Sequence, residues 1–247
     1  MKAKSSGRAA IAGSIVLLLG GACMMAANNA VPPFEPPSPN TLTSMQRADG
    51  WRLLFDGRTM IGWRGYKQAS VPAGWHIVDG MLTKNTETGD LISKDQFGDF
   101  ELAFDWKIGP GGNSGVFYRG TEEYDYIYWS APEYQLLDDS LAPDGKSRLT
   151  AAGSNYALYP APAGVVKRAG EWNSSLIVVQ GARVQHWMNG QKFFEYELWS
   201  PEWEAKVKAS KFKDWPNYGR AKRGYIAIQG DHPGLLALRN IRVRVLK

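Results

Sequence analysis

The chain reads as an all-β protein: a two-sheet sandwich or jelly roll of antiparallel strands with one short helical insertion. Strict apolar and polar alternation in "ELAFDWKI" is the first sign, since side chains in a strand point to opposite faces in turn. Turn dipeptides between apolar runs, above all Asn189-Gly190, are the second. The third is scarcity of helical periodicity, which is confined to "SPEWEAKVKASKF". At 247 residues, 44% apolar and 21% charged, the chain is large enough for one sizeable β core.

The N-terminus has export-signal anatomy. Lys2, Lys4 and Arg8 precede an apolar run from Ala9 to Leu19, then small residues and Cys23. The run is shorter than the roughly 20 residues a membrane span needs. Residues 1–22 are therefore expected to be a signal peptide. Cys23, the sole cysteine, stands where a bacterial lipobox carries its lipidated thiol, although Gly20 occupies the usual leucine position. The expected location is the periplasm or cell envelope, with membrane contact only through that lipid anchor. One cysteine allows no disulfide within the chain, so core burial must stabilise the fold. Residues 23–48 then form a Pro-rich linker, "NNAVPPFEPPSPNT", suited to stiff polyproline II. The formal charge is +5, of which the three leader cations contribute three; the remaining +2 gives no basis for a nucleic-acid partner.

From residue 49 to 247 the punctuation is that of short strands. Gly-Trp recurs at residues 50, 62 and 74 with dissimilar flanks, a turn-then-strand spacing and not a repeat. In "ELAFDWKI", Leu102, Phe104, Trp106 and Ile108 share the core face. "GPGGNSG" interrupts and "VFYR" resumes. "WNSSLIVVQ" and "ARVQHWMNGQKFFEYEL" are strands split by turns at Gln180-Gly181 and Asn189-Gly190. "RGYIAIQ" and "LRNIRVRVLK" close the chain, and the helical stretch is expected on the surface.

"PEYQLLDD" carries the polar anomaly. Taken with period two, Glu133 and Gln135 share one face, and Asp139 returns to it. A carboxylate beside an amide fits proton transfer and sugar-hydroxyl binding in a groove, although a solvated strand face would read the same way. Turn capping is the structural alternative for Asp139. Asn113 and Ser114, in "GGNSG", could meet a ligand where glycines let the backbone approach, but the segment is not a serine nucleophile elbow, because Val116 replaces its second glycine. Tyr126, Tyr128 and Trp129 could wall a sugar subsite or simply pin a loop. His76 and His186 fall in alternating strands as packing or surface residues. No two histidines have zinc spacing, and no cofactor is expected; a calcium site of loop carbonyls and Asp side chains would leave no readable pattern.

"WRLLFDGRTMIGWRG", "WHIVDGMLT", "LISKDQFGDFELAFDWKIGPGGNSGVFYRG", "PEYQLLDD", "GEWNSSLIVVQGARVQHWMNG" and "LRNIRVRVL" occur in the order seen in the DUF1080 family. That family is also called the 3-keto-disaccharide hydrolase domain. The resemblance covers residues 49–247 and implies a concanavalin-like jelly roll. It also implies cleavage of glycosides already oxidised at C3, so a partner oxidoreductase must make the keto-sugar. A ketone at C3 acidifies the C2 hydrogen; a base removes it, the C1 substituent leaves, and water adds. Glu133 is the base on this reading. Arg119 could polarise the ketone or pair with Glu122 or Glu123, Gln229 could hold a hydroxyl and His232 could take part in catalysis. Family members commonly read Q-D-H-G where this chain reads "QGDHPG", so inserted Gly230 puts the register of His232 in question. Ordinary hydrolysis by two carboxyl groups is the mechanistic alternative. A non-catalytic carbohydrate-binding module is the functional one, and an envelope adhesion or scaffold protein is a third.

Overall fold

The structure, a computed structural model, describes residues 38–247. The leader and Cys23 lie outside the described residues. Two antiparallel sheets account for nearly all the regular structure, as the alternation predicts. Eight strands form the larger sheet: β1 (Trp51–Leu53), β3 (His76–Val78), β4 (Met81–Lys84), β6 (Phe100–Ile108), β9 (Asn173–Gln180), β10 (Arg183–Met188), β11 (Gln191–Glu197) and β13 (Leu236–Val245). They run in the order β11-β10-β9-β6-β13-β4-β3, with β1 also paired to β13. The smaller sheet has the order β2-β5-β12-β7-β8, from β2 (Trp63–Gly65), β5 (Leu91–Phe97), β7 (Asn113–Gly120), β8 (Glu133–Leu137) and β12 (Gly224–Ile228).

The core lies between the sheets. Leu102, Phe104, Trp106 and Ile108 of β6 are all buried and meet Val116, Tyr118, Tyr134 and Leu136 from β7 and β8. Burying each such side chain stabilises the fold by about 1.5–3 kcal/mol. The Asn189-Gly190 dipeptide makes the β10–β11 turn, with φ of +50° and +82° at its two residues. That is the left-handed pair a tight hairpin of this hand requires. A second, smaller apolar cluster occupies the other face of the smaller sheet. Ile92, Phe117 and Ala227 from the strands pack there against Tyr66, Ile127 and Ala131. Loop 121–131 therefore roofs that face instead of leaving it to water.

Two boundaries differ from the sequence expectation. Part of the anticipated linker is folded: Asn40 is buried, its amide donates to Gly80 O at 2.7 Å, and its backbone and that of Asn240 exchange bonds with the other's side chain at 2.6 and 2.8 Å. A short helix α1 (Ser44–Ala48) follows, closed by a capping box between Thr43 and Gln46. The predicted helix is present as α2 (Pro201–Ala209), capped by Ser200, but it does not merely lie on the surface. Its Trp203 is fully buried and stacks on Tyr196 with centroids 5.3 Å apart.

Candidate functional site

The β7–β8 register sets the site. Phe117 pairs with Glu133, Gly115 with Gln135, and Asn113 with Leu137. Period two then sends Tyr134 and Leu136 into the inter-sheet core and Glu133 and Gln135 to the roofed outer face. Glu133 leans across Gly115 so closely that a Cβ there would lie 2.1 Å from its Oε1. Glycine at position 115 is thus what makes room for the carboxyl group.

A pocket of about 220 Å³ opens beside that carboxyl. Three side-chain amides reach into it. Gln135 is 1% exposed, and both its Oε1 and Nε2 lack a protein partner. Gln229 Oε1 and Asn113 Oδ1 are likewise buried and unpaired. Unmet buried amides are costly, by about 1–3 kcal/mol each, and mark the places where a ligand hydroxyl or water belongs. Asp144, Tyr156, Tyr128, Lys211, Asp231 and His232 complete the wall.

Each wall is locked by its own bonds. On one side Asp138 accepts from the backbone amides of Gly111 and Ser140, and Asp139 accepts from that of Ala152 while pairing with Arg148 at 3.0 Å. These bonds set the loop that carries Asp144, whose Oδ2 accepts from Tyr156 at 3.2 Å and from Asn113 at 3.4 Å. On the other side lies the "QGDHPG" loop. Asp90 accepts from Gly230 N–H at 2.7 Å, and the buried Lys84 ammonium donates to His232 O at 2.5 Å. Gly230 is accommodated because it has no side chain: a Cβ there would meet Gly89 O at 2.5 Å. With the loop so held, His232 faces the pocket, its Nε2 3.7 Å from Asp231 Oδ1.

Burial pushes the Glu133 carboxyl up to about 8; the Lys211 ammonium works against that rise, and Asp231, Asp90 and Asp144 add to it. Among the described residues no side-chain hydrogen bond holds either ionisation state, so the group is free to exchange a proton with whatever occupies the pocket. Asp90 is raised to about 7, again by burial, with the Gly230 amide opposing. Among the described residues no group of three or more His, Cys, Asp or Glu side chains converges as a metal site.

The structure brings together Glu133, Gln135, Asn113, Tyr128, Gln229 and His232. It does not bring in the others. Asp139 is spent on Arg148 and Ala152, because β8 ends at Leu137 and the chain turns before a further alternation. Arg119 has a left-handed φ of +52°, which breaks the strand period and turns its guanidinium away. It donates to Gly98 O, Gly181 O and Asp99, tying together two turns at the end of the sandwich, and not to Glu122 or Glu123. Ser114 points inward, its hydroxyl donating to Gln229 O at 2.9 Å. Trp129 stacks on Trp215 at 3.9 Å and supports the loop from behind, while Tyr126 stacks on Tyr128. Sequence reasoning missed Lys211, Asp144 and Tyr156. Tyr156 comes from a turn, Asp144 from a single 3-10 turn (Pro143–Lys146) and Lys211 from just past the end of α2, where no periodicity announces which way a side chain points.

Comparison with known proteins agrees with this architecture. Residues 50–244 match the family described as the 3-keto-alpha-glucoside-1,2-lyase-like domain. A Bacteroides thetaiotaomicron protein named 3-keto-disaccharide hydrolase is 38% identical over 231 residues, covering 81% of this chain and 79% of that protein. The crystal structure of a candidate glycosyl hydrolase from Parabacteroides distasonis superposes with a TM-score of 0.79 at 32% identity, covering 85% of this chain and 100% of the other. A second such structure from the same organism gives 0.63 at 26% identity, covering 79% and 99%.

Proposed function

This chain belongs to the 3-keto-alpha-glucoside-1,2-lyase-like family, and from that premise we propose that it cleaves the glycosidic bond of a sugar oxidised at C3. The observation that carries the proposal is Glu133: a buried carboxyl with no side-chain hydrogen bond among the described residues, beside an unpaired amide, in a pocket of about 220 Å³. Glu133 takes the C2 proton. Burial makes it a stronger base than an ordinary carboxylate, which suits a carbon acid. The C1–O bond then breaks with its electron pair on the leaving oxygen, which recovers the proton from Glu133. Water adding across the new C1=C2 bond completes a net hydrolysis. Gln135, Gln229 and Asn113 bind ring hydroxyls in this scheme, with Tyr128 against a ring face. An oxidoreductase must first make the ketone. The export leader read from the sequence supports a cell-envelope location for this chain, and that location is part of the proposal.

The test is a chromogenic 3-keto-glucoside alongside its unoxidised parent. Release is expected from the ketone alone, with kcat/KM rising through a midpoint near pH 8 to a plateau above it, and Glu133→Gln losing about a thousandfold in turnover while still binding. Release from both compounds points instead to hydrolysis by a carboxyl pair, with Asp144 or Asp231 as second member. Binding without release makes the domain a carbohydrate-binding module.

A further inference from the structure

Removal of a proton beside a ketone leaves negative charge on the ketone oxygen, and Arg119, the cation expected to meet it, is committed elsewhere. Resting on the reading above, we infer that Lys211 is a further catalytic residue, the cation that stabilises the enolate oxygen. The segment that carries it was legible only as a surface helix, yet it is fixed from within the sandwich. Tyr196 stacks on Trp203, Trp203 on Tyr218 at 5.9 Å, and Tyr218 on Phe212 at 4.0 Å, so a column of rings ends at the neighbour of Lys211. Ser210 Oγ accepts from Phe212 N and donates to Val207 O, which fixes the backbone on the other side.

The ammonium itself is held without being used. It lies 4.2 Å from the centroid of Tyr156, 5.3 Å from that of Phe212 and 5.8 Å from that of Tyr128. Aromatic faces attract a cation but take none of its three N–H donors. Lys206, five residues earlier, pairs with Glu202 at 3.7 Å; Lys211 has no carboxylate partner among the described residues. It lines the same pocket as Glu133 and lowers that group's proton affinity, yet the two do not close into an ion pair, so pocket space lies between base and cation. The bonds balance across that space. The C2–H pair becomes the C2=C3 bond and the carbonyl π pair moves to oxygen as Glu133 receives the proton, and Lys211 donates a hydrogen bond to the resulting O⁻. On collapse the ketone re-forms and the C1–O electrons leave with the aglycone. A preorganised donor of this kind is worth about 10²–10³ in rate.

Two ketones test this. One carries a leaving group at C1; the other, a 1-deoxy-3-keto sugar, can enolise but not eliminate, and its C2 hydrogen is followed by NMR exchange in D₂O. Lys211→Met is expected to lose about a hundredfold in both kcat and exchange, with KM within threefold and an unchanged melting temperature. Lys211→Arg is expected to recover most of the exchange. Lys211→Gln, which keeps an N–H donor without the charge, carries the same comparison should methionine disturb the aromatic contacts. Exchange retained within threefold in the uncharged variants, or a loss confined to KM, overturns the role of Lys211 alone. Wild-type protein inert towards both ketones overturns the reading of the site as well.

Discussion

Two buried polar clusters lie on opposite faces of the smaller sheet, and they are finished differently. Between the sheets, His186 Nδ1 meets Gly153 O at 3.0 Å and Nε2 meets Tyr118 Oη at 3.0 Å, while Tyr118 and Tyr196 share a bond of 2.6 Å. Tyr134 and Trp106 both reach Ser175 Oγ at 2.9 Å. On the outer face, the side chains of Glu133 and Gln135, on the same strand as Tyr134, have no such partners among the described residues. The contrast separates polarity that holds a fold from polarity that waits for a ligand. A closed network needs nothing more, whereas an open one is tolerated only where something else completes it.

Closing the open cluster by one methyl group should have the largest effect. Gly115→Ala puts a carbon where the Glu133 carboxyl now rests, and turnover should fall about a thousandfold while circular dichroism stays native. Opening the closed cluster should cost stability instead. His186→Ala removes one partner from Tyr118 and another from Gly153 O and leaves a cavity, so urea unfolding should report a loss of about 3 kcal/mol. Burial holds His186 down at about 3, below its unfolded value near 6.5. Wild-type stability should therefore decline as pH falls between those values, and the His186→Ala deficit should shrink with it.

The smallest effect has the opposite sign. Glu133 keeps its proton in the fold up to about pH 8, while the unfolded chain releases it near 4.5. The stability this group contributes is complete below pH 4.5 and is lost as pH rises to about 8. Glu133→Gln is exempt from that loss. It should match wild type at pH 4 and gain roughly 2 kcal/mol by pH 8.5, read as a rise of several degrees in melting temperature. Equal stability at both pH values would place Glu133 in a wetter environment than its burial implies.

What the sequence made legible follows the regular elements. Alternation in β6 and the Asn189-Gly190 turn could be read because local sterics decide them, and Glu133 and Gln135 could be read because period two puts both on one face of β8. Arg119 and Asp139 were misplaced for the same reason inverted: a left-handed residue and an early strand end stop the alternation that was used to orient them. Lys211, Asp144 and Tyr156 reach the pocket through ring stacking and loop bonds that no strand or helix periodicity encodes. Gly115 did leave a signal, as the last glycine of "GGNSG", but its meaning depends on a carboxyl 18 positions further on.

The clasp between Asn40 and Asn240 bears on how the protein would behave under load. Any pull applied upstream of Ser38 enters the fold at Asn40, and the two reciprocal backbone bonds hand it to β13 at the middle of the larger sheet. The smaller sheet, with its open amides and crowded glycine, sits outside that line of tension. A pull from the N-terminal side would thus load the larger sheet and bypass the pocket.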